Sequence, residues 1–430
     1  MHSHAGAWER ELTAAGCSLN TYTVSGAWER ELFGEEMTCS LEYFHSLSCV
    51  ERNILRHSNK AIEEACNMLS KISSSKQQRQ LAADQRTTLV IRQPDDFHVH
   101  LRDTDFLKLT VNHSAQRFGR IGVMPNLVPP VTTATQALAY RQRILAALED
   151  NHSLEPLMIL FLNENTALAD IKTAAESPSF LGVKYYPAGV TTNALSKLTN
   201  LKDAYQILES MEEHQLPLLL HGESPAPDVD VFDREQRFLE AQVEPLIKRF
   251  PKLRIVLEHI TTADAVEFIR AHKGYLGATI TAHHLMYNRN DMLGNGIKPH
   301  LYCKPILKRR HHQEALRQAA TSAEEFFFLG TDSAPHTLAD KESACGCAGC
   351  YTAHAAIELY AEVFEEENAL DRLEKFSSLN GANFYGLTPN ESTITLVRDN
   401  WQPPNIFYAG EQQIVPLRAQ TPVRWMLDKI

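Results

Sequence analysis

The stretch Asp96-Phe97-His98-Val99-His100-Leu101-Arg102 follows closely on an apolar, β-branched run, Thr88–Ile91. Side chains on a strand alternate between its two faces, so His98 and His100 are predicted to point the same way. Two imidazoles at one strand end can bind a zinc ion, at about 2.0–2.1 Å. The guanidinium of Arg102 can hold an anionic substrate beside that ion. An isolated His-x-His is more often an ordinary pair of histidines, so the downstream sequence has to decide.

Eight apolar, strand-like runs alternate with stretches of helical periodicity from Thr87 onward. The runs are Thr88–Ile91, Arg120–Met124, Pro156–Leu162, Gly182–Tyr186, Leu216–Leu220, Arg254–Leu257, Leu276–Thr281 and Phe326–Leu329. The helical stretches include Thr135–Glu149, Asn200–His214, Asp233–Phe250, Thr262–Ala271 and His311–Ala320. Strand–helix alternation indicates a parallel sheet, and eight repeats indicate a closed barrel. We therefore predict an α/β fold, a (β/α)8 TIM barrel.

Polar side chains with metal-binding chemistry fall at the ends of these runs. In chain order they are His98 and His100, Asn126, Lys184, His221 and Glu223, Glu258 and His259, and Asp332 and His336. Active sites of such barrels lie at the carboxyl ends of the strands, where these groups would meet. The two glutamates, each close to a histidine, are candidates for orienting those rings. So many suitable groups at strand ends predict a metal-dependent active site.

At these residues the chain resembles the amidohydrolase superfamily and, within it, the monofunctional bacterial-type dihydroorotase family. The resemblance extends from about Thr87 almost to the C-terminus. The segments that carry it are Pro94–Asp103, Val123–Leu127, Val183–Ala188, Leu220–Glu223, Glu258–Thr262, Leu301–Cys303 and Gly330–His336.

The resemblance implies two zinc ions per subunit, bridged by an N6-carboxylated lysine. The ligands it implies are His98, His100 and Asp332 for the first ion, His221 and His259 for the second, and Lys184 as the bridge. A lysine that is buried beside cations has a lowered pKa and can take up carbon dioxide as a neutral amine. Asp332 would act as a general base and then as a general acid.

The implied reaction is the reversible hydrolysis of (S)-dihydroorotate to N-carbamoyl-L-aspartate in pyrimidine (UMP) biosynthesis, EC 3.5.2.3. The implied substrate contacts are Arg102, Asn126 and His336 at the carboxylate, and the backbone of Lys304 and Ala348 at the ring amide. Lys304 stands where the resemblance leads us to expect a leucine. Thr191 and Thr192 would belong to a lid loop that closes over the substrate.

Two other functions remain open at this point. A hydantoinase or dihydropyrimidinase would also hydrolyse a cyclic amide, but its substrate does not need a carboxylate clamp such as Arg102 with Asn126. A catalytically silent barrel that serves as an assembly partner would be expected to have lost metal ligands, and every matched ligand is present.

Composition limits the other possibilities. The 430 residues are 43% hydrophobic and 22% charged, with a formal net charge of −11 that argues against a nucleic-acid partner. No apolar run approaches the length of a membrane span. Eight thinly spread cysteines, three of them within Cys345–Cys350, favour a reducing compartment over a disulfide framework. We expect a cytoplasmic homodimer that acts on a small molecule, with no membrane partner.

Residues 1–85 form an N-terminal extension that differs from the barrel domain of residues 86–430. The heptapeptide Gly6–Leu12 recurs unchanged as Gly26–Leu32, too few copies for a solenoid. Its many glutamates are unlike an organellar transit peptide, and it lacks a secretory apolar core. We interpret it as an appended, at most partly helical leader, while organellar targeting or docking remains an alternative.

Overall fold

The fold is known from a computed structural model, which describes residues 87–190, 198–344 and 346–428. The strands are β1 (Thr88–Arg92), β2 (Asp95–Val99), β3 (Arg120–Val123), β4 (Glu155–Leu162), β5 (Phe180–Tyr185), β6 (Leu218–His221), β7 (Ile255–Glu258), β8 (Leu276–Ile280), β9 (Phe327–Leu329), β10 (Thr393–Trp401), β11 (Phe407–Ala409), β12 (Gln412–Ile414) and β13 (Val423–Leu427). Strands β2 to β9 form one parallel sheet whose spatial order follows the chain. The chain is therefore an eight-stranded α/β barrel, as the sequence predicted.

Helices follow the barrel strands, and several begin at side-chain caps. At the start of the helix Ala134–Ala146, the hydroxyl of Thr133 accepts a hydrogen bond from the Gln136 backbone within a capping box. At the start of the helix Ala263–Ala271, the side chain of Thr262 accepts a hydrogen bond from the backbone of Ala265. The α-helices are α1 (Asp105–Ala115), α2 (Ala134–Ala146), α3 (Leu168–Glu176), α4 (Tyr205–Glu213), α5 (Arg234–Phe238), α6 (Glu244–Arg249), α7 (Ala263–Ala271), α8 (Ala282–Met286), α9 (Arg289–Leu293), α10 (Arg310–Ala320), α11 (Leu338–Lys341), α12 (Ala356–Glu366) and α13 (Asn380–Tyr385). Short 3₁₀ turns lie at Leu201–Ala204, Pro299–Leu301, Ala353–Ala355 and Leu370–Arg372, and π turns at Leu239–Val243 and Lys375–Leu379.

The first and last barrel strands meet just beyond their carboxyl ends. The backbone N–H of Asp332 donates to the carbonyl of His98 at 2.8 Å, and that of His100 donates to Ser333 at 3.0 Å. These bonds bring residues from opposite ends of the domain together at the barrel mouth.

The buried side chain of Asp96 completes this closure. Its carboxylate accepts hydrogen bonds from the backbone and the hydroxyl of Thr331, at 2.9 and 2.6 Å, and from the backbone of His98 at 3.1 Å. One side chain thus ties β2 to the segment after β9.

The prediction that Thr88–Ile91 is the first barrel strand is wrong. This run lies in β1, which pairs antiparallel with β10 in a separate sheet of order β1-β10-β13. Only one face of β1 is covered, because Ile91 is buried while Val90 is 59% exposed. The true first strand, β2, is fully buried although it carries polar residues, whose hydrogen bonds replace those to water. Because β2 is polar, the apolar pattern that predicts buried strands does not identify it.

The other seven predicted strand runs each overlap one of the strands β3 to β9, and the five helical stretches each contain helix. The stretch Asp233–Phe250 is divided, since the π turn Leu239–Val243 separates α5 from α6. The prediction for residues 1–85 falls outside the described residues. Within the described part of the chain, no helix is both long and apolar enough to cross a membrane.

An apolar cluster fills the interior of the barrel below the polar mouth. Phe97 stacks on Tyr385 of α13, with ring centroids 4.9 Å apart, and makes an edge contact with Phe328. Gly381 lies against the Phe97 ring with no room for a Cβ atom. The C-terminal segment therefore supports the same strand that carries His98.

The edge strand β1 offers a test of where the folded domain begins. A chain that starts at Thr87 is expected to keep the stability and activity of the full chain. A chain that starts at Gln93 loses β1, exposing β10 and the pocket of Ile91, and its free energy of unfolding should fall by about 2–4 kcal/mol. Urea unfolding of the two truncated chains measures this difference. Equal stabilities would contradict a structural role for β1.

Candidate metal centre

The carboxyl ends of the barrel strands bring the predicted metal ligands together. His98 lies in β2, Lys184 in β5 and His221 at the end of β6. His259 directly follows β7, and Asp332 lies in the loop that follows β9. The His259 ring lies between the rings of His98 and His221, with centroid distances of 4.9 and 4.8 Å. All five side chains are buried.

His98, His100 and Asp332 form a group whose donor atoms lie within 4.8 Å of one another. The Nε2 atoms of His98 and His100 lie 3.4 and 3.0 Å from the same oxygen, Oδ1 of Asp332. The opposite nitrogens face outward, with Nδ1 of His98 2.8 Å from Glu258 and Nδ1 of His100 2.7 Å from Asn126. When each Nδ1 keeps its proton to donate outward, three lone pairs converge on one point. Such a point suits a cation.

The electrostatics of this first group agree with a cation site. Burial lowers the pKa of His100 to about 4, so its ring is neutral. Burial lowers the pKa of His98, but the charge of Glu258 together with the hydrogen bonds to Asp332 and Glu258 raises this pKa above its ordinary value. Burial raises the pKa of Asp332, yet its contacts with the two histidines hold it well below the ordinary value. A metal ion would take the place of the proton that these groups otherwise share.

Lys184, His221 and His259 lie beside this first group. Nζ of Lys184 and Nδ1 of His259 are buried without a hydrogen-bond partner among the described residues. Burial lowers the pKa of Lys184 to about 8, an effect that Glu258 and Asp332 oppose, and burial lowers that of His259 well below its usual value. Leaving polar atoms buried and unpaired is costly, by about 1–3 kcal/mol each. The group therefore fits a ligand that engages these nitrogens.

Two buried carboxylates orient the histidine rings, as proposed for Glu223 and Glu258. Oε2 of Glu223 lies 2.7 Å from Nε2 of His221, which leaves Nδ1 as the ring nitrogen that could bind a metal ion. Oε2 of Glu258 contacts His98 and also accepts the hydroxyl of Thr279 at 2.5 Å. Carboxylates in this position fix the tautomer of metal-binding histidines and strengthen them as donors.

The backbone at the site is held in unusual conformations. Arg102, His259 and Asp332 have positive φ angles of 61°, 42° and 44°. Non-glycine residues rarely adopt this region, and such strain of about 1–3 kcal/mol persists only where the surroundings enforce it. For His259 the enforcing contact is the hydroxyl of Thr279, which accepts the backbone N–H at 2.7 Å.

A cleft beside the histidines contains the predicted substrate residues. Arg102, Asn126, Lys304 and Ala348 line it together with Tyr186. Nη1 of Arg102 is buried without a partner, while Nη2 lies 3.0 Å from Nε2 of His336.

His336 is therefore part of this corner of the cleft. Burial and the charge of Arg102 lower the pKa of His336 to about 2, so its neutral ring accepts from the guanidinium. The unpaired Nη1 is left as a buried cationic donor for an anion.

Some predictions cannot be placed in the structure, and some participants were missed. Thr191, Thr192 and Cys345 lie outside the described residues, so the lid remains a prediction. The roles of Asp96 and Tyr186 were not predicted. Each lies two residues from a predicted ligand, His98 or Lys184, a spacing that could have identified both.

A second buried group with metal-binding atoms, His283, His284 and Cys303, was also missed. The two ring nitrogens of His284 are already engaged, by the Thr281 hydroxyl at 2.7 Å and the Pro305 carbonyl at 2.9 Å. The thiol of Cys303 donates to the same carbonyl at 3.3 Å. These bonds make His284 and Cys303 a hydrogen-bonded support beneath the loop that carries Lys304. In contrast, both ring nitrogens of His283 are buried without a partner among the described residues.

The barrel and its site define an amidohydrolase, and comparison with known proteins agrees. The family model described as amidohydrolase matches residues 96–285. A dihydroorotase from Pseudomonas aeruginosa (strain UCBPP-PA14) is 55% identical over 339 residues, which cover 79% of this chain and 97% of the relative.

Solved structures give the same result. The crystal structure of dihydroorotase from Campylobacter jejuni is 37% identical, covers 80% of this chain and 98% of its own, and has a TM-score of 0.73. A dihydroorotase from Saccharomyces cerevisiae in complex with 5-fluoroorotic acid is 32% identical, with a TM-score of 0.74 and coverages of 79% and 98%. The chain belongs to the dihydroorotase family.

The contact between Glu258 and His98 gives a prediction about metal binding. Glu258→Gln keeps the side-chain size but removes the charge that holds Nδ1–H of His98. The affinity of the site for zinc should fall about 10–100-fold. Metal analysis after dialysis against a graded series of chelator concentrations measures the loss. Glu155→Gln, at an exposed carboxylate of β4, is the control. Equal retention by both variants would show that Glu258 does not support the ligand.

Proposed function

We propose that the chain hydrolyses the cyclic amide of (S)-dihydroorotate reversibly to N-carbamoyl-L-aspartate, in pyrimidine (UMP) biosynthesis. The observation that carries this proposal is the unpaired, buried Nη1 of Arg102, which lies in a cleft shared with the convergent histidines. An anionic substrate can be bound there with its reactive amide next to the metal ligands. Membership of the dihydroorotase family supports the same substrate.

We further propose two zinc ions, one held by His98, His100 and Asp332 and the other by His221 and His259. The lone pairs that converge at Asp332 and the unpartnered nitrogens nearby support this assignment. When bound, zinc lowers the pKa of a coordinated water to about 7 and polarises a carbonyl oxygen.

Lys184 is proposed to bridge the ions as a carboxylated side chain. An ammonium would repel cations, but burial already lowers the pKa of Lys184 to about 8, so a neutral amine is accessible near neutral pH. Reaction of that amine with carbon dioxide forms an N–C bond and releases one proton, which yields a carbamate, an anionic oxygen ligand. The negative charge of this ligand would also offset the positive charge of the zinc ions, which neutral histidine ligands do not compensate.

Asp332 is proposed to move the proton during hydrolysis. Its low pKa keeps the carboxylate charged and able to accept a proton from the attacking water. One oxygen, Oδ1, faces both histidines, while the second is available for this transfer. The same group then delivers the proton to the departing amide nitrogen as the ring C–N bond breaks, which returns Asp332 to its carboxylate form.

The remaining contacts position the substrate. Arg102 and His336 would bind the ring carboxylate with Asn126, and the backbone of Lys304 and Ala348 would bind the ring amide. The lid residues Thr191 and Thr192 would exclude water when the loop closes. A cytoplasmic homodimer without nucleic-acid or membrane partners remains our prediction.

Substitution of the proton carrier tests the mechanism. Asp332→Asn keeps the shape of the side chain but cannot accept a proton, so kcat should fall at least about 100-fold. Turnover of dihydroorotate is measured together with zinc content and Tm. Near-normal turnover by a folded, metal-replete variant would remove Asp332 from proton transfer.

Substrate choice tests the proposed function itself. The full chain should open dihydroorotate much faster than hydantoin, which lacks the carboxylate. Arg102→Gln should lower kcat/KM for dihydroorotate by about 100-fold, a loss of about 2.7 kcal/mol at 1.36 kcal/mol per tenfold. The control is Arg143→Gln, because Arg143 is half-exposed and already paired with Asp103. Preference for hydantoin by a zinc-loaded enzyme would overturn the assignment.

A further inference from the structure

Glu235 is a buried carboxylate outside the ligand set, and its hydrogen bonds all reach one loop. It lies in the short helix α5 and is 2% exposed. Its two oxygens accept the backbone N–H of Thr261 at 2.9 and 3.1 Å, the hydroxyl of Thr261 at 2.7 Å and the hydroxyl of Thr262 at 2.5 Å. Burial raises the pKa of this carboxyl, and the nearby Lys308 charge and the threonine donors oppose that rise.

The loop that Glu235 binds is the one that carries His259. Thr261 follows His259 by two residues, and the backbone of His259 has a φ of 42°. The Thr279 hydroxyl holds this strained residue on its strand side. Glu235 holds the other side, so the loop is fixed on both flanks of the strained position.

The same helix also holds the loop of the second histidine. The carbonyl of Arg234, next to Glu235, accepts the backbone N–H of Ser224 at 3.0 Å. Ser224 adjoins Glu223, the carboxylate that contacts His221. Two consecutive residues of α5 therefore fasten the loops after β6 and after β7.

The first group of proposed ligands, His98, His100 and Asp332, is held by different contacts. His98 and Asp332 are joined by their own backbone hydrogen bond and by Asp96, with no hydrogen bond to α5. A change at Glu235 should therefore act on one side of the site and spare the other.

We propose that Glu235 is a positioning residue that sets the spacing of His221 and His259 for the second metal ion. It touches neither the substrate nor the reacting atoms, and acts through Thr261, Thr262 and α5. This inference rests on the proposed two-ion function. It differs from a purely structural role because it requires a loss confined to one ion.

Site-resolved metal occupancy in the full chain tests the proposal. Glu235→Gln and, as a milder change, Thr261→Val are compared with the parent protein after dialysis against the same chelator. Glu358→Gln is the control, since Glu358 of α12 is also buried but pairs with Arg117, away from the two ligand loops. Zinc occupancy at each position is read from anomalous diffraction, and Tm is recorded for every variant.

We expect zinc at His221 and His259 to be held at least about tenfold more weakly in both site variants, and zinc at His98 and His100 to be retained. KM for dihydroorotate should change little, while kcat falls and recovers when zinc is added. The control should lose stability but keep both ions.

Retention of both ions in Thr261→Val and in a folded Glu235→Gln, or equal loss of both ions, would overturn the proposal. If Glu235→Gln does not fold, the result for Thr261→Val alone decides. A parent protein that holds only one ion would instead refute the two-ion function, and this inference with it.

Discussion

The hydrogen bonds of the Asp96 carboxylate are the constraint on which the site depends. They join β2 to the residues that follow β9, at the only junction where neighbouring barrel strands are far apart in the described sequence. Burial raises the pKa of Asp96 to about 7, and the Thr331 and His98 donors oppose this rise. Without the Asp96 carboxylate, the backbone donors of Thr331 and His98 would lose this acceptor, at about 1–3 kcal/mol for each buried group left unsatisfied, whereas the Thr331 hydroxyl would keep the His98 carbonyl at 3.1 Å. The same hydrogen bonds therefore close the barrel and bring His98 next to Asp332.

Around this junction, charged and neutral groups are arranged so that a cation completes them. Carboxylates at Glu223 and Glu258 hold the outer nitrogens of His221 and His98. Asp332 faces the inner nitrogens of His98 and His100. Lys184 is buried among them without a hydrogen-bond partner in the described structure. Unpaired buried polar atoms and positive φ angles lower the stability of the folded chain, and such strain is common at functional sites. Binding of metal ions would recover that energy.

The N- and C-terminal parts of the domain show why one strand was misplaced. Thr88–Ile91 has the apolar, β-branched composition of a barrel strand, but it pairs with β10 at the edge of a separate sheet, where only one face of β1 is covered. The barrel strand β2 contains two aspartates and a histidine, residues that composition assigns to loops. Their burial is stabilised by partners from other strands, such as Thr331 for Asp96 and Glu258 for His98. No local pattern contains that information.

The sequence by itself determined the strand–helix alternation of the barrel through seven of its eight strands, because periodicity is a local property. It also supplied His98, Lys184, Asp332 and Arg102 as candidate site residues, because their side-chain chemistry is a local property too. Only the tertiary structure decided which strand opens the barrel and which atoms face one another. The hydrogen-bond ladder between β2 and β3 is irregular between Asp96 and Val99. The alternation of side chains along a regular strand therefore does not by itself fix the directions of the His98 and His100 side chains. Contacts with Glu258, Asn126 and Asp332 orient their rings. Those partners come from other strands, and only closure of the barrel brings them within hydrogen-bonding distance.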